Sequence, residues 1–279
     1  MNQTYDILGQ LIKLTGKSNF RGKARLVNYW MSKRDENAKR LRKLPGGGEV
    51  ICDLEVPYEA MVWLEQEEQQ DLEILRDLLK PGQSFVDCGA NIGIWTLVAA
   101  SAVGEEGKVY AFEPNPYTFE KLSQNISLGT WESRIKLFET AVGSTNKNLP
   151  FQCDRSHNVS SISTPSEESI TVPVVTLDSI LKDTRIDGIK IDVEGFELEV
   201  LQGAETILKT CQPWLIVEFN TLLAKTNTLN QWEVYRYLSS IGYVCRQSHQ
   251  ALDYTTNNIL PDCWQTNGYC NLYFSLSKA

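Results

Sequence analysis

The stretch Phe85-Val86-Asp87-Cys88-Gly89-Ala90-Asn91-Ile92-Gly93 decides the fold. A β-rich run, Ser84 to Asp87, enters a loop with glycines at 89 and 93, and an apolar run from Ile92 to Ala102 leaves it as a helix. The glycines let the backbone turn tightly and approach a ligand without a Cβ, and the helix amino-terminus offers N–H donors. Twenty residues after Gly93, a second β-rich run from Lys108 to Phe112 ends in Glu113-Pro114. A carboxylate at that strand end reaches the neighbouring loop and accepts both ribose hydroxyl protons, as in dinucleotide sites. Strand, glycine loop, helix, strand and carboxylate together predict a site for a nucleotide-like cofactor.

Working outward, β-rich runs keep alternating with amphipathic ones, which predicts a mostly parallel sheet covered by helices. Helices are expected over 65–79, 117–128, 177–181, 196–208 and 231–241, and strands over 49–57, 135–139, 188–192 and 214–219. The runs 243–246 and 271–275 have no long helix between them, so an antiparallel pair is expected at the sheet edge. Residues 144–176, rich in Ser, Thr, Asn and Pro, read as an inserted loop or hairpin. Residues 1–44 read as helical and polar, and Pro45-Gly46-Gly47-Gly48 reads as a linker. The expected division is a mostly helical extension over 1–80, serving as an acceptor lid or interaction arm, followed by a cofactor-binding domain over 81–279.

At 42% hydrophobic and 22% charged residues, the 279-residue chain has the composition of an ordinary folded protein. The longest apolar run, Ile92 to Val103, falls short of the roughly 18–20 residues that cross a bilayer, and the first twenty residues lack a signal-peptide pattern, so a cytoplasmic protein is expected. The net charge of −8 is uneven: residues 1–45 hold 11 Lys/Arg against 3 Asp/Glu, and the remainder is strongly acidic. A basic arm suits nucleic acid, a membrane surface or an acidic partner, or lies on the acidic body itself. The acidity of that body argues against a nucleic-acid substrate. Seven cysteines without a C-x-x-C pair suggest reduced structural thiols, and two histidines exclude a multi-histidine metal site.

The loop also discriminates between cofactors. A dinucleotide needs G-x-G-x-x-G, but the middle position here is Asn91, and Asp87 just before the loop repels a pyrophosphate. An acidic residue there suits a cofactor carrying an ammonium group and no phosphate, which S-adenosylmethionine does. A third motif, Ile189-Lys190-Ile191-Asp192-Val193-Glu194-Gly195, ends the fourth expected strand, so Asp192 and Glu194 border the same cleft as Asp87 and Glu113. Val217-Glu218-Phe219-Asn220 ends the fifth.

FVDCGANIG (85–93), YAFEPNP (110–116), TAVGS (140–144), VTLDSIL (175–181), IKIDVEGFELEVLQGA (189–204) and PWLIVEFN (213–220) resemble, in order, the FkbM family of S-adenosylmethionine-dependent methyltransferases. The resemblance implies a class I methyltransferase fold: a Rossmann-like α/β unit with a seven-stranded, mostly parallel sheet and a reversed last strand. It further implies O-methylation of a small-molecule, sugar or natural-product acceptor. By that resemblance the loop Asp87, Gly89, Ala90, Asn91, Gly93 holds the methionine part, with Asp192 bordering it. Glu113-Pro114 meets the ribose, and Thr140-Ala141 meets the adenine edge. Residues 1–45 and those after 220 carry no family signal, and acceptor choice is expected there.

Methyl transfer to an aliphatic hydroxyl benefits from a general base. Asp192 and Glu194 are the leading candidates and His157 is the next. Each has a competing structural role: a helix cap for Asp192, an ion pair with Lys190 or an exposed cap for Glu194, an exposed loop for His157. A Mg²⁺-assisted version would use Asp192, Glu218 and Asn220, but their spacing differs from that of metal-dependent class I methyltransferases. N-methylation or carboxylate esterification of a small molecule or peptide stays open. A non-catalytic cofactor-binding module and a nicotinamide oxidoreductase are less consistent with these residues.

Overall fold

The computed structural model describes residues 3–15, 22–33, 38–66, 69–153, 161–162, 169–226, 228–246 and 268–276. The chain opens with α1 (Gln3–Leu14), α2 (Lys23–Ser32), β1 (Lys39–Lys43), β2 (Glu49–Asp53), α3 (Pro57–Trp63) and α4 (Gln69–Leu78). It continues with β3 (Ser84–Cys88), α5 (Ile94–Val103), β4 (Lys108–Phe112), α6 (Pro116–Ile126) and β5 (Ile135–Phe138). The middle holds β6 (Ala141–Val142), β7 (Lys147–Gln152), β8 (Ser161–Ile162), β9 (Ser169–Val175) and α7 (Leu177–Ile180). The last part holds β10 (Gly188–Ile191), α8 (Glu197–Gln202), α9 (Glu205–Thr210), β11 (Trp214–Asn220), α10 (Thr221–Ala224), α11 (Glu233–Ser240), β12 (Tyr243–Arg246) and β13 (Tyr269–Leu276).

Seven strands form the main sheet in the order β12-β13-β11-β10-β3-β4-β5. The pairs β11–β10, β10–β3, β3–β4 and β4–β5 are parallel, and β13 runs antiparallel to both β11 and β12. This is the class I methyltransferase arrangement, with the expected reversed last strand. Strand order reverses between β3 and β10, and an open α/β sheet binds its ligand outside the strand ends at such a switch point.

Strand alternation separates two cores. Phe85 and Ile216 pack with α4, α5 and the amino-terminal elements, whereas Val86, Cys88, Leu215 and Val217 pack on the other side with residues of α8, α9 and α11. Asp87 and Lys190 are register partners, as are Lys190 and Ile216, so all three side chains lie on the α5 side of the sheet.

Three expectations are corrected. Residues 39–43, expected as helix, form β1 and pair antiparallel with β2, which lies within the strand expected over 49–57, and Pro45-Gly46-Gly47-Gly48 is the turn between them, closed by a 2.7 Å bond from Leu44 N–H to the Gly48 carbonyl, rather than a linker. The helix expected over 196–208 is two helices, because the Asp178 carboxylate caps a fresh start by accepting from Thr206 N–H at 2.8 Å and Ile207 N–H at 3.0 Å. The expected helix over 65–79 begins at Gln69, preceded by a separate α3. The insertion after β6 builds its own four-stranded sheet, β6-β9-β7-β8. Among the described residues, no helix is long and apolar enough to cross a membrane.

Candidate active site

The β3–α5 loop is held by its own chain. Gly89 and Ala90 N–H both donate to the Phe112 carbonyl at 3.0 Å, and Gly93 N–H donates to Ala90 at 2.9 Å. Ile92 N–H donates to the Asn91 side chain at 2.8 Å, and Asn91 N–H to Glu113 Oε2 at 2.9 Å. Every N–H from 89 to 93 therefore has a protein acceptor, so the loop presents no cradle of free donors to a phosphate. Gly89 is irreplaceable for a plain reason: its φ is +83° and a Cβ there would lie 1.8 Å from the Asp192 carbonyl oxygen. That close approach brings the β3 loop against the end of β10.

Glu113 is 7% exposed and lies just past β4. Its Oε1 accepts from Asn115 N–H at 2.9 Å, while Oε2 takes Asn91. A carboxylate has about four lone-pair sites, so two remain for a ligand. Burial pushes Glu113 up to about 7, against the pull of the two N–H bonds. Pro114, half-buried, separates it from Asn115, which caps α6. Thr140 and Ala141 are buried just past β5; the Thr140 hydroxyl donates to the Pro173 carbonyl at 2.7 Å, tying this segment to β9.

Asp87 is fully buried and accepts from the Thr96 hydroxyl at 2.6 Å through Oδ2, while Oδ1 is buried with no hydrogen-bond partner. Burial raises its carboxyl above the ordinary range; Lys190 and Thr96 pull it back. Lys190, 2% exposed, donates to Asp192 Oδ2 at 2.8 Å and lies 5.0 Å from the centre of the Trp95 ring. Carboxylate oxygens of Asp192, Glu194 and Glu218 all lie within 4.8 Å of one another. Glu194 adopts a left-handed backbone (φ 54°), as residues at functional turns often do. Burial, then Asp192 and Glu197, push Glu194 up to about 7. Burial, then Asp192 and Glu194, push Glu218 well above the carboxylate range, and its Oε2 is buried without a partner.

The site thus gathers Asp87, Gly89, Asn91, Glu113, Asp192 and Glu194 at neighbouring strand ends. Asn220 does not join the expected metal set: its Oδ1 accepts from Leu222 N–H at 3.1 Å and Leu223 N–H at 3.5 Å, capping α10. The geometric trio is Asp192, Glu194 and Glu218. His157 lies outside the described residues. Sequence reading missed Thr96, whose signal is a hydroxyl inside an otherwise apolar helix, and Glu197, buried and bonded to Gly195 N–H at 2.8 Å. It also missed Asn125, which donates to the Ile92 carbonyl at 2.8 Å and accepts from Ile51 N–H at 2.9 Å, joining the amino-terminal hairpin to the loop.

Residues 87–245 match the model of the methyltransferase FkbM domain, more than half of the chain. Hexuronic acid methyltransferase AglP of Haloferax volcanii is 27% identical over 57% of this chain and 66% of its own length. A Schizosaccharomyces pombe relative named as a ribosomal RNA methyltransferase is 28% identical over 55% of this chain and 50% of its own. The match therefore spans about half to two thirds of these relatives' length. A solved structure of methyltransferase FkbM from Methylobacillus flagellatus aligns with 97% of this chain and 59% of that one, at 17% identity and a TM-score of 0.47. On the family match, which takes in the β3 loop, Glu113 and the β10 and β11 ends, the chain belongs to the FkbM-domain methyltransferases.

Proposed function

We propose that this protein transfers a methyl group from S-adenosylmethionine to a hydroxyl on a sugar or other small-molecule acceptor. The observation that carries the cofactor reading is Glu113, held by two backbone N–H groups with acceptor capacity to spare beside a loop with no free N–H from 89 to 93. A pyrophosphate finds no donors there, whereas a ribose diol finds acceptors. The buried, unpartnered Asp87 Oδ1 fits a cofactor that brings an ammonium. When bound, the cofactor supplies an activated sulfonium methyl. Residues Asp87 to Gly93 would hold its methionine part, Glu113 and Pro114 its ribose, and Thr140 and Ala141 its adenine edge.

Most of what the chain must add is then positioning. In this reading, Asp192 or Glu194 accepts the acceptor's proton, with Lys190 holding the Asp192 side chain in place. The cluster of Asp192, Glu194 and Glu218 makes the cleft acidic, which suits an uncharged hydroxyl better than a phosphate-rich nucleic acid. N-methylation is the alternative, since an amine suits an acidic cleft equally. A Mg²⁺-assisted transfer is the second reading, motivated by the three clustered carboxylates; against it, Lys190 already occupies one Asp192 oxygen. A cytoplasmic enzyme accords with this reading.

The test is calorimetric titration of S-adenosylmethionine and its demethylated product into the protein and into Glu113→Ala. We expect micromolar binding, lost in the variant, and then turnover of hydroxylated acceptors that persists with chelator. Unchanged affinity in Glu113→Ala overturns the cofactor assignment. Turnover confined to RNA overturns the acceptor class.

A further inference from the structure

The amino-terminal elements carry a feature that the methyl-transfer site does not use. α1 is docked firmly by one side: Ile12 is fully buried, and a Cβ on Gly9 would lie 2.7 Å from the Trp63 ring, which stacks on Trp30 at 5.5 Å. Its other side exposes Ile7, Leu11 and Leu14, at 60%, 52% and 83%, on the four- and three-residue spacing of one helix face. α2 buries Val27 and Trp30 in the same cluster and turns outward Arg25, Tyr29 and Lys33, again one face. On β1 the alternation is inverted: Arg42 is buried, donating to the Val62 carbonyl at 2.6 Å, while Lys39, Leu41 and Lys43 are exposed.

Three consecutive elements thus offer aliphatic or aromatic side chains alongside lysine and arginine, in a segment with 11 basic and 3 acidic residues on an otherwise acidic protein. A helix with one apolar face and basic surroundings lies in the plane of a lipid surface, its apolar residues among the acyl chains and its cations among anionic headgroups. At twelve residues, α1 is far too short to span a bilayer. We propose that the outward faces of α1, α2 and β1 dock this protein on an anionic lipid bilayer. The charge excess selects the lipid's sign, and the exposed leucines anchor it.

The experiment is co-sedimentation of the full chain with phosphatidylcholine vesicles, with and without one third phosphatidylglycerol, for wild type, Leu11→Glu/Leu14→Glu and Lys39→Glu/Lys43→Glu. The expected result is at least about tenfold stronger partitioning onto the anionic vesicles, falling about tenfold in either variant and at about 0.5 M salt. Because these side chains are exposed, circular dichroism and the thermal midpoint should not change. Equal partitioning onto both vesicles, or binding undiminished by the leucine substitutions, overturns the proposal. So does a concentration-dependent dimer, seen by light scattering, that the leucine variant abolishes, since it assigns the face to a second copy.

Discussion

Replacing Lys190 with methionine keeps the buried stem and removes its charge. Lys190 is 2% exposed and 2.8 Å from Asp192, and it is also the cation that holds down the carboxyls of Asp87, Glu194 and Glu218. Removing one partner of a buried pair costs about 3–5 kcal/mol because the other charge is left uncompensated. Asp192 keeps 23% of its side chain in solvent, so a loss of about 2–3 kcal/mol is the better expectation. At about 2 °C per kcal/mol for a chain of this size, the midpoint should fall by about 5 °C near pH 8. The sign with pH follows from proton linkage. Without Lys190 the folded-state pKa values of these carboxyls rise further above those of the unfolded chain, so the folded variant binds extra protons. Its deficit should therefore shrink as pH falls towards 5 and the carboxyls neutralise. Scanning calorimetry of both proteins from pH 5 to 8 measures this directly. An equal loss at both ends would mean that Lys190 matters only for packing, and no loss at pH 8 would refute the electrostatic account altogether.

Asn125→Leu should orphan Ile51 N–H and the Ile92 carbonyl together, costing about 2–4 kcal/mol in denaturant unfolding and weakening cofactor affinity through the loop. Gly89→Ala should abolish cofactor binding, because a methyl 1.8 Å from the Asp192 carbonyl forces the loop off β10; titration with the demethylated cofactor product reads it. Glu113, Glu194 and Glu197, raised to about 7 from 4.5, bind more protons folded than unfolded between those values. Their stabilising contribution is thus full below pH 4.5 and lost as pH rises through 7, so the midpoint of the cofactor-free protein should decline across that window. Binding of a cationic cofactor should release protons near pH 6.5, seen as a buffer-dependent enthalpy.

The parallel sheet was legible because fully buried strands such as Gly188–Ile191 read as short apolar runs between amphipathic helices. Asp87 and Glu113 were legible because a βαβ unit fixes their offset. Strand β1 was not, although its partner β2 was, since the inward residue of β1 is Arg42 and its outward one Leu41, the reverse of the pattern that hydrophobic periodicity detects. Arg42 is tolerated inside because the Val62 carbonyl and the Gln69 amide accept from its guanidinium, partners 20 and 27 residues away. Asn125 is hidden for the same reason: its partners lie 33 and 74 residues off. Glu218 and Asn220 share a strand face on paper, yet the short α10 takes the amide as its cap and leaves only the carboxylate for the cleft.

These ties bear on what the first eighty residues do. Asn125 fastens β2 to the β3–α5 loop, and buried Glu59 is paired with Lys121 while accepting from Asp53 N–H at 2.7 Å. Asp71 of α4 accepts from the Tyr273 hydroxyl at 2.6 Å and the Asn271 amide at 2.9 Å on β13, and Asn271 is the register partner of Glu218. A segment that opened and closed over an acceptor would have to break several part-buried hydrogen bonds in each cycle, at up to about 1–3 kcal/mol for every group left unpaired. Such a cost is compatible with a fixed wall and ill suited to a moving lid. The elements from β2 to α4 are therefore a fixed part of the fold, tied through Asn125 to the β3–α5 loop and through Asp71 to β13.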